Sequence, residues 1–260
     1  MKKNVIAGLG EIGFPIYKLI SKSSPTLGFD INPKLIKNNT QKIKNAETSF
    51  LHVCIPFSKN FKKNVLKLNK QFQPEIIVIH STISPTTTQS LQSVLLVPVI
   101  YSATRGVHKR MNSDLKRYTK FFAISNNAPR KNSASQSFKK LMKNSGVKSK
   151  QMSSPETLEL GKIICDTSYL GWMITYAQLS NTIASHYGVN YDEMWTFSDE
   201  IHKFLGNRPK MYPGFIGGHC VIPNLELIHN QTLDIIKKMN NSYSKKFKNA
   251  KTIHKKYLKK

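Results

Sequence analysis

Short apolar runs alternate with stretches of helical periodicity through the first 150 residues. Residues 4–9, 50–55 and 75–80 are apolar runs bounded by turn residues, which is typical of strands buried on both faces of a parallel sheet. Between them, residues 11–22 and 57–70 have the spacing of amphipathic helices. The pattern therefore predicts an α/β domain with a doubly wound sheet of about six strands.

The hydrophobic pattern changes after residue 152. A serine, proline and acid at 154–156 are typical of a helix start, and apolar positions then recur three and four residues apart to about His186. Another helix is predicted over 192–204, followed by a Gly/Pro-rich loop over 206–219 and further helices. We therefore expect two domains, residues 1–152 and a smaller all-helical domain over 153–260.

Composition supports a folded and strongly basic protein. The 260 residues include 40 Lys and Arg against 14 Asp and Glu, a formal net charge of +26, while 39% of residues are hydrophobic, enough for a substantial core. No apolar run is long enough to span a membrane, the start does not resemble a signal peptide, and the three cysteines show no disulfide or metal-site spacing. A cytoplasmic protein without a metal site is expected. Lysine and asparagine are abundant throughout, so composition bias alone can explain part of the charge.

A glycine motif follows the first predicted strand. Gly8, Gly10 and Gly13 form GxGxxG, and Asp30 ends the second strand seventeen residues beyond Gly13. In that context the glycines permit a tight turn, close approach of a pyrophosphate and close helix packing, while the acid can bind a ribose diol. Asp30 would repel a 2′-phosphate, so NAD is favoured over NADP. A glycine turn without a ligand, or a methyltransferase-type sheet, remains the alternative.

Several segments resemble the UDP-glucose/GDP-mannose dehydrogenases, the nucleotide-sugar dehydrogenase family. The resemblance extends over most of the chain, to about residue 225. The matching segments are GLGEIGFP at 8–15, LGFDINP at 27–33, VCIP at 53–56, ST at 81–82, ELGK at 159–162 and PGFIGGHC at 213–220.

The resemblance implies a Rossmann-type fold, NAD as cofactor, and oxidation of a primary alcohol to an acid. Cys220 would form a thiohemiacetal and then a thioester, Lys162 would stabilise the oxyanion, and Thr82 would position a water. The implied catalytic set is completed by Asp166 and Asn224. The implied cofactor-binding residues are Gly8, Gly10, Glu11, Ile12, Gly13, Asp30, Pro56 and Thr82. The implied substrate loop contains Arg208, Gly214, Gly217 and Gly218.

The chain also departs from the family pattern. Asp166 replaces an asparagine, Asn224 replaces an aspartate, and Thr104 replaces a glutamate that serves hydrolysis. The resemblance predicts no counterpart of the family's carboxy-terminal domain in these 260 residues, so we expect either a smaller substrate or a partner chain that supplies that half. Two alternatives follow: a β-hydroxyacid-type dehydrogenase that uses Lys162 without the cysteine, and an NAD-binding relative that has lost catalysis.

Two association surfaces are also predicted. The long helix starting near residue 155 could pair two subunits of a homodimer. Residues 235–260 carry ten lysines and no acid, with apolar positions at helical spacing. This basic amphipathic helix would either pack on the second domain or bind an acidic surface such as nucleic acid, anionic lipid or an acidic partner, although no specific nucleic-acid motif accompanies it. His52, His80 and His108 show no ligand spacing.

Overall fold

The computed structural model describes residues 2–37, 41–205, 213–218, 220–227 and 231–247. The chain divides into two compact units, Met1–Lys162 and Ile163–Lys260. The sequence pattern had suggested a domain boundary at 152/153.

A sheet forms the centre of the first unit. Over the described residues it has seven strands in the order β2-β1-β3-β4-β5-β6-β7, parallel except where β6 runs antiparallel to β5. The strands are β1 (Lys3–Ala7), β2 (Thr26–Phe29), β3 (Thr48–Val53), β4 (Ile76–Ile79), β5 (Val99–Tyr101), β6 (Lys120–Ile124) and β7 (Ser149–Gln151). The predicted Rossmann-type fold class is thereby confirmed.

Both faces of the sheet are covered, as the continuous apolar runs predicted. One face packs against α1 (Gly13–Ile20), α5 (Met111–Arg117) and α6 (Lys131–Asn144). The other packs against α2 (Gln41–Asn45), α3 (Phe61–Phe72), α4 (Thr87–Gln92) and α7 (Pro155–Leu160). The helix α7 belongs to this unit because Leu158 packs on the apolar core and the buried Glu159 bonds to the start of α4.

A π-helix over Gly161–Ser168 follows α7 directly and leads into α8 (Tyr169–His186). The predicted long helix is therefore present with a widened turn inside it. The helix predicted over 192–204 is two helices, α9 (Tyr191–Thr196) and α10 (Asp199–Leu205). The second unit also contains α11 (Val221–Leu225) and α12 (Gln231–Lys246). In the part of the chain that the structure describes, no helix combines the length and the apolar character needed to cross a membrane.

The core of the second unit forms where α8, α11 and α12 meet. Its buried residues include Val221, Leu225 and Ile236. A Cβ atom at Gly171 would lie 3.1 Å from the Val221 side chain and 3.3 Å from that of Ile236. Glycine at this position lets α8 approach its two neighbours closely.

Candidate active site

The glycine motif occupies the turn between β1 and α1, and two of its glycines are required by the backbone. Gly8 has a φ of +90°, and a Cβ there would lie 2.9 Å from the Cys54 carbonyl oxygen. A Cβ at Gly13 would lie 1.7 Å from the Gly8 carbonyl oxygen. Side chains at these positions would therefore displace backbone, which is the packing that a dinucleotide-binding turn needs.

Gly10 differs from its two neighbours in the motif. A Cβ there would meet no atom within 4 Å. The fold itself thus does not require glycine at this position, and the space beside it fits the close approach of a diphosphate to the backbone.

Asp30 lies directly after β2 and is tied to the glycine turn. Its Oδ2 accepts the Leu9 backbone N–H at 2.7 Å, and its Oδ1 accepts the Asn32 N–H at 2.9 Å. Each carboxylate oxygen retains a further lone pair, so both can still accept hydrogen bonds from a ribose diol.

Two other residues of the motif make different contacts, one with the apolar core and one with a neighbouring loop. Ile12 is partly buried and packs on the apolar core beneath α1. Glu11 Oε2 lies 2.8 Å from His108 Nδ1. His108 belongs to the loop after β5, so this contact joins that loop to the glycine turn.

The next strands bring Cys54, Pro56 and Thr82 to the carboxyl edge of the sheet. Cys54 follows β3 and lies beneath the glycine turn, where burial raises the pKa of its thiol to about 12. This cysteine therefore stays protonated and is not a nucleophile. Pro56 is exposed and Thr82 is half-buried, both in the loops that follow these strands.

A buried row of polar groups crosses the sheet next to Cys54. His52 Nδ1 lies 2.9 Å from His80 Nε2, and His80 Nδ1 lies 3.1 Å from the Ser102 carbonyl oxygen. Because a carbonyl only accepts, His80 Nδ1 donates and its Nε2 accepts, so His52 Nδ1 donates to it. Burial lowers the pKa of His52 to about 3 and that of His80 well below its usual value, with Lys120 adding repulsion. Both rings are therefore neutral at pH 7.

Lys120 opens β6 and is buried at the end of this row. Its Nζ lies 2.8 Å from the Thr104 hydroxyl oxygen and donates to the Ala103 carbonyl at 3.1 Å. Burial is the largest cause and lowers the pKa of Lys120 to about 7. Among the lesser causes Cys54 raises this pKa, and the positive charges of Lys162 and Arg105 lower it.

Lys162 ends the first unit, and the π-helix places it in a widened helical turn. Such turns are rare and often occur at functional sites. Glu159, one turn earlier, is fully buried and accepts hydrogen bonds from the backbone of Thr86 and Thr88. It anchors α7 to α4 and so positions Lys162 relative to the sheet. Asp166 lies on the same π-helix, within the second unit.

In the second unit, two buried amides hold the loop that leads to Cys220. Asn240 Oδ1 accepts the Ile216 N–H at 2.7 Å, and Asn240 Nδ2 donates to the Ile216 carbonyl at 3.1 Å. Gln178 Nε2 donates to the Gly214 carbonyl at 2.6 Å and to Asn240 Oδ1 at 3.2 Å. The loop backbone is thus fixed by side chains of α8 and α12.

The other predicted site residues belong to the second unit, around the loop that leads to Cys220. Cys220 is exposed and immediately precedes α11, which contains the half-buried Asn224. Gly217 and Gly218 are exposed, and Gly218 has a φ of +75°. Arg208 lies outside the described residues, as does the part of the basic tail beyond residue 247. Within the described residues, no three metal-binding side chains cluster.

Sequence reasoning missed the polar row and Lys120. The signal was a lysine at the start of an otherwise apolar strand, KFFAI, and a histidine near the end of each of two apolar strands. Charged residues are almost never fully buried unless they are paired, so these positions depart from the pattern that defines the strands.

Solved structures of dehydrogenases share this fold. UDP-D-ManNAc dehydrogenase from Pyrococcus horikoshii is 16% identical with a TM-score of 0.74, and the match covers 93% of this chain and 68% of that one. The UDP-N-acetyl-mannosamine dehydrogenase of Staphylococcus aureus is 17% identical with a TM-score of 0.68 and the same coverage. Neither a family model nor a curated protein sequence matches the chain.

A shorter enzyme also matches. The 3-hydroxyisobutyrate dehydrogenase of Mycobacterium tuberculosis is 14% identical with a TM-score of 0.65, and the match covers 94% of this chain and 93% of that one. The resemblance seen in the sequence is therefore confirmed at the level of the fold, which nucleotide-sugar dehydrogenases and this smaller dehydrogenase have in common.

Proposed function

We propose that this chain is an NAD-dependent dehydrogenase. The observation that carries the proposal is the glycine turn, where Gly8 and Gly13 are required by the backbone and Gly10 borders open space. A turn that needed glycine only for folding would not leave the middle glycine without neighbours. NAD, when bound, would accept hydride from the substrate.

The residues at the turn fit NAD rather than NADP. Asp30 would bind the adenosine ribose diol, because its carboxylate is held toward the turn by the Leu9 amide. The backbone at Gly10 and the start of α1 would bind the diphosphate. Pro56 and Thr82 would border the cofactor further along the carboxyl edge of the sheet.

For the substrate, we propose a primary alcohol that is oxidised to the acid with Cys220 as nucleophile. The Cys220 sulfur would add to the aldehyde carbon, giving a thiohemiacetal whose oxidation yields a thioester that water cleaves. Lys162 would stabilise the negative oxygen of the adduct. Support comes from the exposed Cys220 and from the two amides that hold the preceding loop in place. Since several relatives of similar fold act on nucleotide sugars, that class is the first to test.

The tests are a calorimetric titration with NAD and a panel of nucleotide sugars and hydroxy acids followed by NADH absorbance. We expect binding of NAD in preference to NADP and turnover of at least one nucleotide sugar. Cys220→Ala should abolish acid formation, whereas Cys165→Ala, which removes another exposed thiol, should not. No heat on titration with NAD would refute the proposal, and binding without any turnover would favour the non-catalytic relative.

A second candidate function is oxidation of a small hydroxy acid, a reaction that does not require Cys220. The observation that favours it is the match to 3-hydroxyisobutyrate dehydrogenase over nearly the whole length of both chains. Under this alternative Lys162 carries the chemistry, so Cys220→Ala would turn over a hydroxy acid at the wild-type rate while Lys162→Met would not.

We further propose a homodimer formed through α8. Six large apolar or aromatic side chains repeat at three- and four-residue steps on one face of α8 and its end, and each is at least 36% exposed. Contiguous exposed apolar surface of this kind marks an interaction site. The residues are Tyr169, Trp172, Tyr176, Leu179, Ile183 and Tyr187.

A further inference from the structure

Lys120 and Thr104 meet at the carboxyl edge of the sheet. Because β6 runs antiparallel to β5, its first residue lies beside the chain that leaves β5. Lys120 Nζ lies 2.8 Å from Thr104 Oγ1, and each residue is only 6% exposed. This is the edge at which the open α/β folds bind their ligands.

The surroundings of Lys120 disfavour its ammonium form. His52 and His80 face it from β3 and the end of β4 as neutral rings, and Cys54 as a protonated thiol. The charged groups nearby, Arg105 and Lys162, are both positive. Within the described residues, no carboxylate forms an ion pair with Lys120.

Nearby hydrogen bonds fix the geometry of the pair. Arg105 donates to the Thr119 carbonyl at 2.8 Å and lies over the Phe121 ring, so it is held beside Lys120. The Ala103 carbonyl takes one N–H of Lys120, since a carbonyl only accepts. A neutral amine then still has a lone pair, to which the Thr104 hydroxyl can donate across the same 2.8 Å. The arrangement is that of a hydroxyl activated by an adjacent amine, as in Ser-Lys hydrolases.

We propose that Thr104 and Lys120 form a general-base dyad that removes the hydroxyl proton of the substrate alcohol, an inference that rests on the proposed dehydrogenase function. The alcohol O–H bond breaks as its proton passes to Thr104 Oγ1. The Thr104 O–H bond breaks as its proton passes to Lys120 Nζ, forming an N–H bond. The alcohol becomes an alkoxide, Lys120 becomes an ammonium and Thr104 is unchanged. No electrons are transferred in this step.

The protonation state of Lys120 can be measured without any activity. Lysine side chains labelled with ¹³Cε and ¹⁵Nζ are followed by NMR from pH 5 to 11 on the whole chain. Burial predicts that Lys120 titrates near pH 7, whereas exposed lysines titrate at about pH 10.4. If every lysine titrates above pH 9, the dyad is overturned, whether or not any variant folds.

The kinetic test compares two disruptive variants with a conservative one. Lys120→Met and Thr104→Val should lower kcat at least about 100-fold and remove the acid limb near pH 7 from the pH profile of kcat/KM. Thr104→Ser keeps the hydroxyl, so its kcat should stay within about tenfold of the wild-type value and its pH profile should keep the acid limb near pH 7. If Lys120 had only a structural role, the acid limb would not disappear in the two disruptive variants while Thr104→Ser kept both its kcat and that limb.

Controls separate this inference from the proposed function. Lys150→Met removes an exposed lysine from the neighbouring strand β7 and should match the wild type. NAD affinity, measured by calorimetry, should change less than about threefold in Lys120→Met. If both disruptive variants keep the wild-type kcat and the acid limb of the pH profile, the dyad is overturned but the proposed dehydrogenase function is not. Failure of the wild type to bind NAD would overturn the proposed function and this inference with it.

Discussion

Two alanine substitutions in the same glycine motif should affect different quantities: Gly13→Ala the stability of the fold, and Gly10→Ala the affinity for NAD. In Gly13→Ala the new methyl group would lie 1.7 Å from the Gly8 carbonyl oxygen, which belongs to the backbone. In Gly10→Ala the methyl group would meet no atom within 4 Å. The two substitutions add the same single carbon, so any difference between them comes from the environment.

The expected magnitudes follow from these distances. An ordinary carbon–oxygen contact is roughly 3.3 Å, so Gly13→Ala must displace the turn by about 1.6 Å. Overpacking of this kind costs about 1 to 3 kcal/mol, and here backbone must move, so we expect the upper end of that range. Gly10→Ala should change the free energy of unfolding by less than about 0.5 kcal/mol. Its methyl group, however, would occupy the space proposed for the diphosphate, and we expect the Kd for NAD to rise at least about tenfold, or about 1.4 kcal/mol.

Urea denaturation and calorimetric titration with NAD measure the two quantities on the same samples. Gly161→Ala, another position whose Cβ would meet nothing within 4 Å, is the matched control. Because Gly161 has helical backbone angles, alanine there should raise the free energy of unfolding by at most about 1 kcal/mol and leave the Kd for NAD unchanged. The reasoning is refuted if Gly10→Ala binds NAD as tightly as the wild type, because the open space would then not be the diphosphate site. It is refuted equally if Gly13→Ala is as stable as the wild type.

Three further outcomes are expected. His52 and His80 stay neutral in the folded state, whereas unfolded histidine gains a proton below about pH 6.5. The free energy of unfolding should therefore fall as the pH drops below about 6.5, by up to about 1.4 kcal/mol per pH unit for each ring. In urea titrations, His52→Leu should show a smaller change of this free energy with pH than the wild type. Asn240→Leu leaves the Ile216 N–H buried without its acceptor and should lower the free energy of unfolding by about 1 to 3 kcal/mol, whereas an unchanged urea midpoint would contradict the role given to this amide. Tyr176→Glu should convert the proposed dimer to a monomer in sedimentation experiments, and a monomeric wild type would exclude the dimer.

The sheet was predictable because its pattern is local. Strands buried on both faces need continuous apolar residues, and segments such as 4–9 and 75–80 satisfy that need without reference to the rest of the chain. The seventh strand, β7, was not predicted because its sequence, SKQ, is short and polar, and it pairs only at the edge of the sheet. The division of the helix predicted over 192–204 also escaped the pattern, since both helices share one continuous periodicity.

The glycine turn was predictable for the same local reason, because its residues lie within six positions of one another. The polar row depends instead on strand order: His52, His80 and Lys120 are distant in sequence and become neighbours only through the pairing of β3 with β4, β4 with β5 and β5 with β6. Each is a single polar residue within an apolar run or at one end of it, and the pattern of one strand does not show which residues of other strands it meets.

In the polar row of His52, His80 and Lys120, burial affects the side-chain pKa values more than the overall charge of the chain does. A formal charge of +26 would suggest positive groups at every site, yet the buried basic side chains of the row hold a proton less readily than exposed ones do. Desolvation is the largest cause of the lowered pKa of His52, His80 and Lys120 alike. The charge of Lys120 further lowers the pKa of both histidines, and those of Arg105 and Lys162 further lower the pKa of Lys120. The interior therefore keeps both histidines neutral at pH 7 and leaves a substantial fraction of Lys120 neutral, which is the state in which an amine can accept a proton.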